Sequence, residues 1–324
     1  VQTIAIQNKP QYFDELAELE RLFPQLIPTE TALSRSVVEH IFAGGGKRIR
    51  PQLFLLICDL VSYKGPHRLP MAAVCELIHA ASLLHDDVVD NSPTRRGRAS
   101  SHVLWGDVTA ILVGDLIYAR ASELMAATGN MNIVTLFARV IRQMSEAEIL
   151  QLDNLFNPDM RIEDYHRIVQ GKTASLISAA CVCPGLLAGC TEQQVSALRI
   201  FGGNIGTVFQ LIDDMLDYTG DEKAMGKIAK ADLLEGKVTH PIHLLRDLAS
   251  PQDKPLLLTA IKDPNAERLE LVQAMVQKYQ ATQETLRYAE ELSAAALVQL
   301  DYFDNSEVKD TLKSLVQLLL ARAN

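Results

Sequence analysis

The sequence predicts an all-α protein, a single domain of 324 residues whose helices pack around a deep central cavity. Apolar residues recur at three- and four-residue spacings almost throughout, as in Leu53, Leu56, Ile57 and Leu60, then Leu77, Ala80, Ala81 and Leu84. Strand-like alternation is scarce, and no Gly/Ser linker, low-complexity tract or internal repeat divides the chain. A hydrophobic share of 48% with 22% charged residues is ordinary for a folded enzyme and argues against disorder.

The helix boundaries can be placed in chain order. Gly44-Gly45-Gly46-Lys47-Arg48-Ile49-Arg50-Pro51 is a flexible, cationic approach to a helix with proline in its first turn. Pro70 lies near the start of the next helix, which runs to Asp86. Gly129-Asn130 marks a stop. Pro184-Gly185 is expected to kink or interrupt a long helix. Thr191-Glu192-Gln193-Gln194 has the form of a capping box, opening a helix that continues through Asp213.

Charge and cysteine usage exclude several classes. A net charge of −9 argues against a nucleic-acid binder, which needs a basic face. A polyanionic substrate must therefore meet local basic clusters or metal. Cys58, Cys75, Cys181, Cys183 and Cys190 are an odd set without zinc spacing, so they read as reduced core thiols. No secretory-signal pattern and no run of 18 or more apolar residues is present. The expected location is the cytoplasm, with peripheral membrane contact for product release left open.

Two aspartate patterns dominate the chain, Asp86-Asp87-Val88-Val89-Asp90 and Asp213-Asp214-Met215-Leu216-Asp217. On a helix the first and fifth residues lie one turn apart on one face, so Asp86 projects with Asp90 and Asp213 with Asp217. Like charges at that spacing repel. A single copy would read as a solvated acidic face or a cap; two copies in apolar sequence point to a cation. Magnesium fits, because it takes oxygen ligands and is usually held by one or two carboxylates plus substrate phosphate. Packing of the two helices is expected to bring the motifs together at one end of the cavity.

Basic residues complete the pattern. Lys47 and Arg50 stand at a helix N-terminus able to hold phosphate. His79 lies seven residues before Asp86, about two turns along the same face, although a lone histidine there is more often a satisfied core residue. Arg95-Arg96-Gly97 follows the first motif. Lys172-Thr173 sits on an expected helix, and Gln210 shares a face with Asp213 and Asp217; alone, either would read as ordinary surface or interhelical polarity.

At these residues the sequence resembles the trans-isoprenyl diphosphate synthases, most of all the bacterial octaprenyl-type polyprenyl diphosphate synthases. The likeness rests on GGGKRIRP (44 to 51), LLHDDVVD (83 to 90), RRG (95 to 97), VGD (113 to 115), KTA (172 to 174), GTVFQLIDDMLDY (206 to 218), GK (226 to 227) and DLLEGKVTHP (232 to 241). It implies an isoprenoid-synthase-type helical bundle, a homodimer, and magnesium, three ions with bound allylic diphosphate. It further implies that Asp86, Asp90 and Asp213 ligate metal, with Asp87, Asp214 and Asp217 as direct or indirect partners. Gly46, Lys47, Arg50, His79 and Arg96 would hold isopentenyl diphosphate. Arg95, Lys172, Thr173 and Gln210 would meet the allylic diphosphate, Lys227 and Lys237 adding charge, with Lys172, Thr173 and Gln210 taking the catalytic part.

The implied chemistry needs no catalytic triad. Cationic groups stabilise departing pyrophosphate, the allylic bond ionises, and the double bond of isopentenyl diphosphate attacks the carbocation. Product length becomes a packing question. One turn before Asp86 stand Ala81 and Ser82, with Ile78, Leu77 and Val74 farther back, so no aromatic plug blocks the first turns. A helical turn of about 5.4 Å is comparable to an isoprene unit, and small residues there favour a long product, near eight units, for a quinone side chain. Leu124, Met125 or Phe137 are candidates for a deeper floor, though a core role suits each better. Ile228 to Asp232, Val238, His240 and the ending Arg322-Ala323-Asn324 depart from the usual pattern. The rivals are a shorter-chain geranylgeranyl-type synthase, a terpene cyclase, a metal-dependent phosphohydrolase suggested by His79 and His85-Asp86, and a non-catalytic partner subunit.

Overall fold

The computed structural model describes residues 10–219 and 231–322. Apart from one two-stranded hairpin, the regular structure among them is helical. The helices are α1 (Pro10–Leu26), α2 (Ala32–Ala43), α3 (Ile49–Leu60), α4 (Arg68–Val89), α5 (Ser101–Trp105), α6 (Asp107–Ala126), α7 (Met131–Asp153), α8 (Ile162–Val169), α9 (Ser175–Ala188) and α10 (Glu192–Thr219). They continue with α11 (Ala231–Leu234), α12 (His240–Leu248), α13 (Asp253–Lys262), α14 (Ala266–Lys278), α15 (Ala281–Gln299) and α16 (Glu307–Ala321). Strands β1 (Thr94–Arg95) and β2 (Arg98–Ala99) pair antiparallel, with Arg95 opposite Arg98.

Among the described residues, those up to 141 with 179–199 and 302–312 form one compact unit. Residues of 142–178, 200–301 and 313 onward form a second. In the first unit α4 packs against α3, α5 and α6, and its apolar stripe, Val74, Leu77, Ile78, Ala81 and Leu84, is buried. The core of the second unit gathers Tyr165, Val208, Leu211, Ile212, Met215, Ile242, Leu257 and Val272 among others.

Local chemistry explains most boundaries. Pro51 falls in the first turn of α3, where its missing N–H costs nothing. Gln194 N–H donates to the Thr191 hydroxyl at 3.3 Å and Thr191 N–H to Gln194 Oε1 at 3.1 Å, completing the capping box ahead of α10. The expected interruption at Pro184-Gly185 does not occur. Helix α9 runs through Pro184 and ends at Ala188, where Gly189 takes a positive φ of 69°. Pro184 and Gly185 are buried, and a side chain on Gly185 would lie 2.8 Å from Leu198, so close packing holds the helix together despite the lost hydrogen bond.

Residues 162–188 and 192–219 are long and apolar enough to cross a membrane by length and composition, which the search for continuous apolar runs missed. Inside the fold, 72% of the most apolar 18-residue window of the first and 50% of that of the second is buried, as in core helices. Cys58, Cys75, Cys181 and Cys183 are buried free thiols, and burial pushes Cys58 and Cys181 up to about 12.

Candidate active site

In the first unit the acidic motif closes α4. Asp86 and Asp87 lie in its last turn, and Asp90 is the C-cap, its N–H bonded to Asp86 O at 2.8 Å. Carboxylates at a helix C-terminus face the negative end of the peptide dipoles, so this arrangement favours a cation. The three side chains divide the work. Asp90 is exposed and Asp86 half-buried, whereas Asp87 is only 1% exposed and accepts from Arg95 Nε at 2.8 Å and Nη2 at 2.5 Å.

Arg95 reaches Asp87 because the RRG sequence forms a hairpin tip. Arg96 and Gly97 both adopt positive φ, 52° and 75°, as a two-residue turn between right-twisted strands requires. The tip sets the Arg96 guanidinium against Gly46, whose missing Cβ would lie 2.8 Å from Arg96 Nη1. A small cleft opens there, lined by Gly44, Leu83, Asp87, Arg95, Arg96 and Arg98 among others.

His79 sits in this basic cluster. Its imidazole is held well below its usual range, first by burial and then by the charges of Arg50, Arg96, Arg95 and Arg48. Arg96 is itself lowered, chiefly by burial, with Arg48 and Arg95 repelling it while Glu76 and Glu20 act in the opposite sense. Arg48 is neutralised by Glu20 at 2.5 Å and Glu76 at 2.6 Å, so it frames the pocket and is committed elsewhere. Lys47 and Arg50 are half-buried at the start of α3. Concentrated positive charge around a neutral imidazole donor suits an anion.

His85, half of the pair that suggested a phosphohydrolase, has its Nε2 engaged by the fold. Its Nε2 donates to Ile111 O at 3.0 Å, and its ring fills the space against Gly114, where a Cβ would come within 2.3 Å. That contact accounts for the glycine of VGD.

In the second unit the other acidic motif lies near the end of α10. Asp213 pairs with Arg322 at 3.0 Å, and Asp217 Oδ2 accepts the Asp232 N–H at 3.3 Å. Asp214 is 2% exposed and has both oxygens engaged, Oδ2 by the Tyr165 hydroxyl at 2.6 Å and Oδ1 by Gln210 Nε2 at 2.8 Å. Burial raises its carboxyl to about 7; Asp232 and Asp213 push the same way, and the bonds from Tyr165 and Gln210 oppose them.

Lys172 and Thr173 occupy a π-helical turn, Gln170–Ala174, between α8 and α9. Such single wide turns recur at functional sites. Two glycines make the turn fit. A Cβ on Gly171 would stand 2.7 Å from Gln143 O, and one on Gly206 would stand 2.5 Å from Ala174 Cα. The close approach at Gly206 sets Gln210, one turn on, beside the KTA turn, where the Thr173 hydroxyl donates to Gln210 Oε1 at 2.8 Å. Lys172 pairs with Glu148 of α7.

The first unit therefore assembles Gly46, Lys47, Arg50, His79, Arg95 and Arg96 with Asp86, Asp87 and Asp90. The second holds Lys172, Thr173 and Gln210 with Asp213, Asp214 and Asp217. Lys237, paired with Glu235 at 2.5 Å, also lies there, while Lys227 and the departures at Ile228, Ala229 and Lys230 fall outside the described residues. Val238 and His240 are buried in the second unit. Ala81 is buried, and half-buried Ser82 donates to His79 O at 2.9 Å. Met125 and Phe137 are core side chains. Sequence reading passed over Tyr165 and Glu148. Tyr165 lies seven residues before Lys172, a two-turn spacing that was the available signal.

The donor chemistry fits magnesium: the candidate ligands are all carboxylate oxygens, and in the first unit α4 ends, at its negative pole, on Asp86, Asp87 and Asp90. Among the described residues no three His, Cys, Asp or Glu side chains form a ready metal cage, in keeping with an ion that takes much of its shell from phosphate and water.

Residues 31–279 match the family profile described as polyprenyl synthetase. The chain is 35% identical over 309 residues to the octaprenyl diphosphate synthase of Escherichia coli (strain K12), covering 95% of this chain and 96% of that protein. It is 37% identical over 285 residues to the octaprenyl diphosphate synthase of Haemophilus influenzae, covering 87% and 86%. A crystal structure of polyprenyl synthase from Caulobacter crescentus, complexed with calcium and isoprenyl diphosphate, superposes with a TM-score of 0.92 at 32% identity over the whole of both chains. On family profile, relatives and fold alike, the chain belongs to the polyprenyl synthetase family and is a prenyltransferase of the all-α isoprenoid synthase fold.

Proposed function

We propose that this enzyme condenses isopentenyl diphosphate onto an allylic diphosphate such as farnesyl diphosphate, repeating the step to octaprenyl diphosphate for a quinone side chain. The observation that carries the reading is the cluster of Arg50, Arg95 and Arg96 acting on His79, with a cleft lined by Arg95, Arg96 and Asp87 at the acidic end of α4, an arrangement that suits an anion next to a cation. In this reading isopentenyl diphosphate is held by Lys47, Arg50, His79 and Arg96, with Gly46 leaving room for the Arg96 guanidinium. The allylic diphosphate meets Arg95 and Lys172, with Lys227 and Lys237 adding charge.

Magnesium, three ions with the allylic diphosphate, would be held by Asp86, Asp90, Asp213 and Asp217 and would draw charge onto the leaving pyrophosphate. Asp87 and Asp214 act indirectly, since their oxygens already accept from Arg95, Tyr165 and Gln210. Arg95 and Lys172 stabilise the departing oxygens, and the Thr173 and Gln210 dipoles stabilise the allylic cation. Attack by the double bond of isopentenyl diphosphate forms the new carbon–carbon bond. Loss of a proton to pyrophosphate then restores an alkene. An apolar, water-poor surround keeps the cation from ending as an alcohol.

We further propose that the two units act as one catalytic domain, a reading supported by a family match that spans residues of both. A second copy of the chain is the proposed partner. Val103, Leu104, Val108, Ile111 and Leu112 of α5 and α6 are large, apolar and exposed, up to 71% at Val108, which suits a homodimer face. The proposed location is the cytoplasm, with peripheral membrane contact when the product leaves.

Asp86→Asn and Asp213→Asn test the metal assignment. Each is expected to lower magnesium-dependent elongation by about a hundredfold or more, the range for losing one electrostatic stabiliser. Near-normal turnover in both would sink it.

A further inference from the structure

We propose that Tyr165 is a positioning residue for the allylic half of the reaction, acting through Asp214 and Gln210 on Thr173. The proposal rests on the function given above. Its basis is an unbroken hydrogen-bonded chain. The Tyr165 hydroxyl donates to Asp214 Oδ2 at 2.6 Å, Gln210 Nε2 donates to Asp214 Oδ1 at 2.8 Å, and the Thr173 hydroxyl donates to Gln210 Oε1 at 2.8 Å.

Direction follows from chemistry. Both Asp214 oxygens act as acceptors in this chain, so the Gln210 amide turns its NH₂ toward Asp214 and its oxygen toward Thr173. The Thr173 proton is then committed to Gln210, which leaves the hydroxyl lone pairs free to face a positive charge. Without the bond from Tyr165, one Asp214 oxygen loses its donor and the carboxylate can rotate, taking the amide with it. Buried hydrogen bonds linked in one network reinforce one another, so the lock is stiff.

The Tyr165 ring is held in its turn. It is 4% exposed and lies 5.6 Å from the His166 ring, 5.7 Å from His240 and 5.5 Å from His243. His240 is pinned by Thr285 at 3.0 Å and stacks on Tyr288 at 5.5 Å with an 11° interplanar angle. Thr285 Oγ1 gives its proton to Ala281 O at 2.9 Å and so accepts from His240 Nδ1–H. Phenylalanine would fill this box equally well, so the hydroxyl is the part that separates a packing role from a positioning one.

The test compares the full chain with Tyr165→Phe, using magnesium, isopentenyl diphosphate and farnesyl diphosphate, alone and on a Gln210→Ala background. The expected result for Tyr165→Phe is a kcat about tenfold lower, a loss in the range for a hydrogen bond to a charged group. The KM for isopentenyl diphosphate should stay within about twofold and the melting temperature should fall by only a few degrees, the scale of one lost buried hydrogen bond. On the Gln210→Ala background the same change should cost nothing further, because the relay is already cut. Wild-type kcat in Tyr165→Phe, or a loss that multiplies with Gln210→Ala, overturns the proposal. Should Tyr165→Phe fail to fold, 3,5-difluorotyrosine at position 165 keeps the ring and alters only the donor strength. A rate change that vanishes in Gln210→Ala supports the relay, and an unchanged rate overturns it. A wild-type chain that consumes no isopentenyl diphosphate removes the function itself, a result distinct from a fast enzyme indifferent to Tyr165.

Discussion

Gly206 offers a sharp test of how the allylic half is built. In Gly206→Ala the new methyl would stand 2.5 Å from Ala174 Cα, 2.9 Å from its Cβ and 3.3 Å from its carbonyl oxygen. Two of those neighbours are backbone, and none is the end of a flexible side chain. Ordinary carbon contacts begin near ~3.5 Å, so the π turn and α10 must separate by about 1 Å. Overpacking of this kind costs roughly 1 to 3 kcal/mol of stability. Function should suffer more. The bond from Thr173 to Gln210 at 2.8 Å spans the same gap, and a misplacement of about 1 Å lowers turnover on the order of a hundredfold. Steady-state rates at saturating substrates, with a melting curve of the same preparation, read both effects. We expect a folded protein of modestly lower melting temperature with kcat down by about a hundredfold. A Gly206→Ala enzyme with wild-type kcat would refute the claim that this approach sets the catalytic geometry.

Three other perturbations have defined outcomes. His240 is lowered to about 4 by burial and by His166, and His243 to about 3 by burial, Arg246 and the neighbouring histidines. Since their folded values lie below an unfolded value near ~6.5, the unfolded state takes protons first as pH falls. Stability is therefore intact above about pH 6.5 and declines below it, by on the order of 2 kcal/mol per histidine at pH 5. Urea midpoints at pH 7.5 and 5 should differ less in His240→Asn than in wild type, and an equal difference would contradict the burial argument. Arg322→Ala removes one cation from Asp213, so the magnesium concentration for half-maximal rate should fall by up to about fivefold, the scale of a partly exposed pair. An unchanged or higher requirement would show that the pair does not compete with metal. Phenylalanine at Ala81 or Ser82, one turn before Asp86, should end the product ladder several isoprene units earlier while leaving the first condensation intact, as read by product length. A ladder of unchanged length would reject the helix as a ruler.

Most of the helices and both halves of the chemistry were legible in the sequence because their signals are local. The 3.6-residue periodicity, the capping box at Thr191 and the proline at position 51 act within a turn or two of chain. The aspartate spacing likewise carries its meaning inside one helix. What stayed hidden depends on neighbours remote in sequence. Asp87 shares a motif with half-buried Asp86 and exposed Asp90, and Asp214 with half-buried Asp213 and buried Asp217, and it is the bonds from Arg95, Tyr165 and Gln210 that separate their roles. The π turn at Gln170–Ala174 follows from contacts of Gly171 with α7 and of Gly206 with Ala174, which no helical periodicity encodes. Pro184 does not interrupt α9 for the same reason, since packing around the helix outweighs a local breaker.

The central claim, magnesium-dependent elongation of an allylic diphosphate to a long product, is tested most directly by incubating the purified chain with magnesium, isopentenyl diphosphate and farnesyl diphosphate and resolving the products by length. The account predicts a ladder that ends near eight isoprene units and disappears when magnesium is chelated. Failure to consume isopentenyl diphosphate with any of several allylic primers would contradict it.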